Sequence, residues 1–295
     1  MSQCPYCESN NSSLYLELKD YFLTQEEFKV VKCIDCGLLY TTPRPQSDKL
    51  GEYYKSDDYL SHKENKNGFI PRIYEFVKSF NLKHKLKIAT KGKEKGNILD
   101  IGCGVGDFLL CSKQAGWSVE GIEPSDEAKK IAESRLQTHI HNPQDIALLP
   151  SCSYDVITMW HVLEHVEDIK TEVSHLHRML KPSGRLVVAV PNYRSYDAQY
   201  YKDKWAAWDV PRHLSHFDRE TMKNVFSNFN DLILNNITTL KWDSYYISFL
   251  SEKYMRHGLP LLRGAFRGFI SNVKACGSKE YSTLVYVFEK SSHNC

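Results

Sequence analysis

The sequence predicts an α/β protein in which a doubly wound parallel sheet follows a small cysteine-bearing module. Three observations predict it. Strand-like and helix-like stretches alternate from residue 97 to residue 190, the pattern of a parallel sheet with helices on both faces. The run Leu99-Asp-Ile-Gly-Cys-Gly-Val-Gly-Asp-Phe-Leu109 reads as a buried strand entering a glycine turn and then a helix. Two C-x-x-C pairs, Cys4–Cys7 and Cys33–Cys36, stand ahead of that region.

Residues 1–45 read as a zinc ribbon. Each C-x-x-C brings two thiolates together at one tight turn, and Cys4, Cys7, Cys33 and Cys36 complete a four-sulfur tetrahedron for a structural Zn2+. Alternation in Glu26–Lys32 supplies a hairpin strand that carries the second turn to the first. Apolar residues are few here, so metal binding is expected to supply the folding free energy. A closed four-thiolate site has no open position for chemistry, which favours a staple over substrate docking or RNA contact.

Thr41-Thr-Pro-Arg-Pro-Gln46 breaks the chain, and residues 46–95 form a linker and a capping helix. An aromatic-rich stretch, Tyr53-Tyr54 through Tyr59 and His62, leads to a helix near 70–90, and Lys91–Gly96 is a polar loop. Within residues 96–295, strands are expected at 97–102, 118–123, 138–142, 154–160 and 184–190, with helices at 106–115, 126–136 and 168–180. A helix near 219–228, a strand at 232–240 and a last strand, Thr283–Phe288, finish the sheet. A helical insert, 242–280, broken at Gly258-Leu-Pro260, interrupts it as a lid or as extra packing.

Composition bounds the partners. At 295 residues, 42% hydrophobic and 25% charged, the chain suits one large core with a small satellite. A formal charge of +2 is too mild for the basic stripe of a nucleic-acid binder, so none is expected as partner. The start, Met1-Ser-Gln-Cys-Pro5, lacks the basic-then-apolar order of a leader, and Leu186-Val-Val-Ala-Val190 is too short to span a bilayer. A cytoplasmic protein without a membrane span is the expectation.

The glycine turn carries the chemistry. Gly102, Gly104 and Gly106 have no Cβ to hold a ligand off the backbone. Their spacing is G-x-G-x-G, with Asp107 where a dinucleotide fingerprint puts its third glycine, which weakens a pyrophosphate cradle. Glu123 ends the next strand, where a carboxylate accepts both ribose hydroxyls. Asp145, after a further strand, either accepts from an exocyclic amine or caps the following helix. Asp100 either fixes the turn or meets the ligand. An adenosine cofactor without a diphosphate fits this set.

His161 and His165 lie four apart where the sheet opens, and His213 and His216 follow the last parallel strand, so both groups can face one cleft. Imidazole suits a general base, His213 and His161 first, and equally suits helix capping or a polar core. Arg212 offers a guanidinium fork to a phosphate or carboxylate. Trp205, Trp208, Tyr245 and Tyr246 offer faces to an acceptor, a job that competes with core packing. His161-Val-Leu-Glu164-His165 also matches the H-x-x-E-H of zinc peptidases, accidentally, because Asp155–Trp160 reads as a strand ending at His161 rather than as the helix that motif needs.

Over roughly residues 96 to 290 the chain resembles the class I S-adenosylmethionine-dependent methyltransferases. The resemblance rests on Leu99–Gly106, Gly121-Ile-Glu-Pro-Ser125, Asp145–Pro150, Tyr154–His165, Arg178–Gly184 and Val188–Asn192. It implies a Rossmann-like sheet of seven strands with the last antiparallel, S-adenosyl-L-methionine as cofactor and S-adenosyl-L-homocysteine as product. It implies that Asp100, Gly102, Cys103, Gly104, Gly106 and Trp160 line the cofactor, that Glu123 meets ribose and Asp145 adenine, and that His213, His161 and His165 serve catalysis. A ribbon ahead of such a domain is similar to enzymes that methylate sugar carbons and to others that methylate guanine in ribosomal RNA. The sugar enzymes carry an E-H pair where Arg212-His213 stands, so only His213 carries over. Some quinone-biosynthesis O-methyltransferases carry E-x-x-E-H, linked to a divalent metal, where this chain has His161, Glu164 and His165, and a second metal there is a further expectation. The expected function is methyl transfer to a small-molecule acceptor, a sugar or quinone-like compound. An RNA methyltransferase and an NAD-dependent oxidoreductase are the alternatives.

Overall fold

Apolar runs bounded by polar turns make the strands. The computed structural model describes residues 3–46, 49, 51–54 and 69–292, and Tyr59 and His62 of the aromatic stretch lie outside them. The N-terminal segment supplies β1 (Ser12–Lys19), β2 (Glu27–Cys33) and β3 (Leu39–Thr42), followed by a long helix, α1 (Phe69–Thr90). Then come β4 (Asn97–Ile101), α2 (Asp107–Gln114), β5 (Ser118–Ile122), α3 (Asp126–Leu136), β6 (Ile140–His141), β7 (Tyr154–Trp160), α4 (Ile169–Met179) and β8 (Leu180–Pro191). The remainder is α5 (Tyr196–Tyr201), β9 (Ser215–His216), α6 (Arg219–Phe226), β10 (Leu232–Thr239), α7 (Asp243–Met255), α8 (Pro260–Ser278) and β11 (Thr283–Lys290).

Seven strands form one sheet in the order β10-β11-β8-β7-β4-β5-β6. β4 to β8 run parallel, and β11 is antiparallel to both β8 and β10. Helices cover the sheet, so β4, β7 and β8 are buried almost throughout and read as near-continuous apolar runs rather than as alternations. Side-chain caps start the helices that set the spacing: Ser125 accepts from Ala128 N–H at α3, and Asp168 from Thr171 N–H at α4. From β4 the chain steps outward to β5 and β6, then returns past β4 to lay down β7. The order therefore reverses between β4 and β7, and the crevice beyond their carboxyl ends is where ligands bind in such sheets. No described helix is long and apolar enough to cross a membrane.

A second, antiparallel sheet has the order β1-β2-β3-β9. Its fourth strand comes from the far side of the sequence: Leu39 pairs with His216 and Tyr40 with Ser215. The N-terminal segment is thereby stitched to the loop that follows β8. A buried ion pair reinforces the seam, since Arg212 donates to Asp20 at 2.9 Å and to Asp209 at 2.7 Å, and also reaches the Tyr53 carbonyl. Arg212 is therefore not the anion receptor that its fork suggests, because both arms are already engaged inside the protein.

Candidate active site

The turn after β4 is built from three left-handed glycines, Gly102, Gly104 and Gly106, with φ of 70°, 55° and 77°. Their reasons differ. A Cβ on Gly102 would meet Val162 Cγ2 at 2.5 Å, whereas a Cβ on Gly104 would meet nothing within 4 Å. Gly104 is thus the glycine whose missing side chain leaves room for a ligand. The Cys103 side chain is buried in the core, with its sulfur in the place a Cβ on Gly121 would need, and the Gly102 and Cys103 N–H groups both donate to the Ile122 carbonyl. The Cys103 thiol also stays within the turn, donating to the Gly104 carbonyl at 3.8 Å.

Glu123, beyond the end of β5, holds the turn: one carboxylate oxygen accepts from Gly104 N–H at 2.8 Å and the other from Ser125 N–H at 2.9 Å. Burial raises its pKa, and these two amides pull the other way. Each oxygen keeps a free lone pair for a further donor. Asp100 is buried at the reversal point, where Thr158 of β7 donates to it at 2.5 Å, and burial raises its pKa to about 7. Asp145 carries out the capping alternative, accepting from Asn142 N–H at 2.9 Å at the head of a short 3-10 turn. Trp160 packs edge-on against Phe108, its indole N–H buried without a hydrogen-bond partner.

Sequence reasoning missed Lys85. It comes from α1, its ammonium lies 4.9 Å from the Trp160 ring centre, and Asp100 and Asp243 stabilise its charge against burial. A lysine on a helix far upstream carries no local signal for this. Asp107, at the position of the missing third glycine, heads α2 and is paired with Lys78 at 2.7 Å and Arg135 at 2.9 Å. A carboxylate thus occupies the helix N-terminus where a diphosphate would otherwise be drawn.

On the acceptor side, the chain leaves β7 through His161 in a left-handed conformation, φ 63°, and passes into a short 3-10 turn, Leu163–His165. No long helix carries the two histidines, so the peptidase motif is accidental. His161 Nε2 is 2.9 Å from Asp243 and Nδ1 is 3.4 Å from Glu164. Burial opposes charge on this ring, yet the two carboxylates outweigh it and raise its pKa to about 9. A histidine held as imidazolium at neutral pH is a poor base, which ranks His161 behind His213 for that role.

His165 and His213 meet at 4.6 Å between ring centres. Nδ1 of His165 is 3.0 Å from the Arg212 carbonyl and 3.0 Å from the Tyr54 hydroxyl, and Nδ1 of His213 is 2.9 Å from the Ala207 carbonyl. A carbonyl only accepts, so Nδ1 carries a proton in each. Burial, aided by His213, lowers the His165 pKa to about 4. His216 is spent on structure: its Nε2 lies 3.0 Å from Thr41 Oγ1, and burial drops its pKa well below the usual value. Trp205 and Trp208 are buried, with their N–H groups on Asp197 and the Lys202 carbonyl, and belong to the core. Tyr245 packs against Trp242 and Tyr246 lies exposed.

Between these histidines sits Glu164, only 1% exposed, with neither carboxylate oxygen hydrogen-bonded. Burial alone would neutralise it, but His161, paired with it, holds its pKa down. One atom each of Glu164, His165 and His213 lies within 4.8 Å of the others, a donor set that suits a divalent cation. The third member is His213, not His161, whose ring faces Asp243. The cleft beside them, lined by Glu164, Tyr193, Trp205, His213 and Ser215, is closed, with no room for a water molecule. In the N-terminal segment, Cys4, Cys7, Cys33 and Cys36 place their sulfurs within 4.8 Å of one another, with Cys4–Cys36 at 3.6 Å and Cys7–Cys33 at 3.5 Å. Four sulfurs about 2.3 Å from a central Zn2+ would stand about 3.8 Å apart, so the spacing fits that ion.

A family model described as a methyltransferase domain matches residues 74–231. The ubiquinone biosynthesis O-methyltransferase of Coxiella burnetii (strain Dugway 5J108-111) is 29% identical over 167 residues, 54% of this chain and 69% of that enzyme. The enzyme of the same name from Hydrogenovibrio crunogenus is 29% identical over 135 residues, 43% of this chain and 52% of its own. The chain thus spans about half the length of the one and about two thirds of the other. Among solved structures, geranyl diphosphate C-methyltransferase from Streptomyces coelicolor A3(2), crystallised with Mg2+, geranyl diphosphate and S-adenosyl-L-homocysteine, superposes with a TM-score of 0.55 at 14% identity, covering 82% of this chain and 97% of that one. A SAM-dependent methyltransferase from Archaeoglobus fulgidus gives 0.50 at 20% identity, covering 80% and 100%. At such identities the likeness is one of fold.

Proposed function

The chain belongs to the methyltransferase-domain family, among the class I S-adenosylmethionine-dependent methyltransferases, and from that premise we propose that it methylates a small-molecule acceptor, a quinone-like hydroxyl before a sugar. The observation that carries the acceptor side is the buried Glu164, ion-paired to His161 and set beside His165 and His213, whose Nδ1 atoms meet backbone carbonyls. An acidic hydroxyl that opens this closed cleft would find His213 as proton acceptor and Glu164 to orient it. When bound, S-adenosylmethionine supplies an electrophilic methyl group on a sulfonium.

This chain's residues fit that cofactor. Gly104 leaves the room a Cβ would fill, the free lone pairs of Glu123 suit the ribose hydroxyls, and the Lys85 ammonium near Asp100 suits an amino-acid carboxylate. Asp145 is left the adenine side, with one oxygen committed to its cap. Much of the rate then comes from alignment, worth about 7–11 kcal/mol in well-oriented reactions.

A structural Zn2+ on Cys4, Cys7, Cys33 and Cys36 belongs to the same reading, supported by the sulfur spacing. So does the division into a ribbon at 1–45, a linker with capping helix at 46–95 and a catalytic domain at 96–295. Clustered thiols suit a reducing, cytoplasmic setting. The RNA alternative loses support because lysines on the ribbon pair with its own acids, Lys19 with Glu27 and Lys29 with Glu17. The dinucleotide alternative is opposed by Asp107.

Calorimetric titration with S-adenosyl-L-homocysteine, with NAD as control, tests the reading. Micromolar binding of the first and none of the second is expected, with the affinity retained in His213→Ala. Binding of NAD alone would overturn it in favour of a dehydrogenase.

A further inference from the structure

The outer helix of the hairpin α7–α8 is built the wrong way round for a water-soluble surface. Its inward face is Gly264, Gly268, Ser271 and Ala275. A Cβ on Gly264 would stand 2.6 Å from Phe249 Cα, and one on Gly268 2.7 Å from Tyr245 Cα, so the two helices touch backbone to backbone. All the bulk of α8 is left to point outward. Leu259, Leu261, Leu262, Phe266, Phe269 and Val273 are each 54–69% exposed, a single apolar patch on a protein whose other large hydrophobics are mostly interior. Small residues inside and large apolar ones outside is the arrangement of helices packed in lipid.

The charge around the patch names the surface it meets. From Lys253 to Ser278 the hairpin carries Lys253, Arg256, Arg263, Arg267 and Lys274 and no acidic residue. Arg263 pairs with the buried Glu252, Arg267 lies 3.9 Å over the Tyr200 ring and Lys274 lies near Tyr196, so several of these cations are held at fixed places along the rim. With three cations in its length, α8 does not cross a bilayer, and an apolar face rimmed by cations is the form of a helix lying in the headgroup layer. A second copy of the chain is a poor occupant, because a two-fold contact would set each cationic rim against its twin.

We propose that the α7–α8 hairpin docks this face onto an anionic lipid surface. The inner side of the same hairpin reaches the candidate site, Asp243 at its start binding His161, so docking presents the acceptor cleft close to the bilayer. The docking rests on the exposed face alone, and only its value for a quinone-like acceptor depends on the reading above.

Flotation of the full chain with phosphatidylcholine vesicles, with and without phosphatidylglycerol, tests the docking independently of any methyl transfer. At low salt the protein should float with the anionic vesicles at least about tenfold more than with neutral ones, and about 0.5 M salt should abolish most of that preference. Leu262→Ser/Phe266→Ser/Phe269→Ser should lose binding to both vesicle types, and Arg256→Glu/Lys274→Glu only the anionic preference. These residues are exposed, and circular dichroism with retained S-adenosyl-L-homocysteine affinity would verify that each variant is folded. Failure of the wild-type protein to float with anionic vesicles overturns the docking. So does a concentration-dependent dimer in sedimentation that the triple substitution dissolves, since the face would then be an interface between copies. Unaltered flotation of a folded triple variant overturns it equally.

Discussion

Glu123 divides one carboxylate between two backbone amides, one in the glycine turn and one at the head of α3, and keeps lone pairs for a ligand. Its substitution therefore has two consequences. Glu123→Ala should weaken S-adenosyl-L-homocysteine binding by about 1.5–3 kcal/mol, the worth of hydrogen bonds to a charged group, and should loosen the turn as well. Glu123→Gln should fall between the two, since one oxygen still accepts. An alanine variant that titrates like the wild type would remove Glu123 from the ribose. Glu123 was legible in the sequence because an acid at a strand end, a fixed distance past the glycines, is a local signal. Lys85 and Asp243 were not: they reach the site from α1 and α7, and in Asp243 the contact joins residues 82 apart.

Among the elements, β7 and α7 are tied through the His161 imidazolium. The pKa of about 9 is set by Asp243 and Glu164 against burial and lies above the ordinary 6.5, so the contribution to stability is fully present below about pH 6.5 and is lost as pH rises through about 9. The melting temperature of wild type should therefore exceed that of His161→Gln most at low pH, with the gap closing between pH 6.5 and 9. A gap constant over that range would show that the ion pair does not form. The elements were largely readable in advance: β4, β5, β7, β8 and α3 follow from apolar runs and caps, and the antiparallel direction of β11 from the family resemblance. β9, only two residues long, was not, because its pairing with β3 has no periodicity to show.

For the whole molecule, the N-terminal sheet and the acceptor loop form one unit. Thr41 Oγ1 donates to the His213 carbonyl at 2.6 Å, and Arg212, next in sequence to His213, is locked to Asp20 across 192 residues. A metal held by the four cysteines would therefore also steady the candidate base. Elemental analysis should count one zinc per chain, and stripping it with a chelator should speed hydrogen exchange at β3 and β9 together while β4, β7 and β8 stay protected. Purified protein without zinc, or β9 amides indifferent to the chelator, would separate the cysteine cluster from the loop. A second metal found in the same analysis would belong to Glu164, His165 and His213.

The sequence by itself determined the α/β class, the order of most strands and helices, the glycine turn with its acid and the cysteine quartet. Each of these is written in neighbouring residues, where period, spacing and the absence of a Cβ act over a few ångströms. Only the tertiary structure decided which histidines meet beside Glu164 and which one binds Asp243, that Arg212 is a tie and not a receptor, and that α8 turns its large residues outward. Those outcomes depend on partners brought from elsewhere in the chain, and the charge or exposure of a side chain is fixed by what folding places beside it.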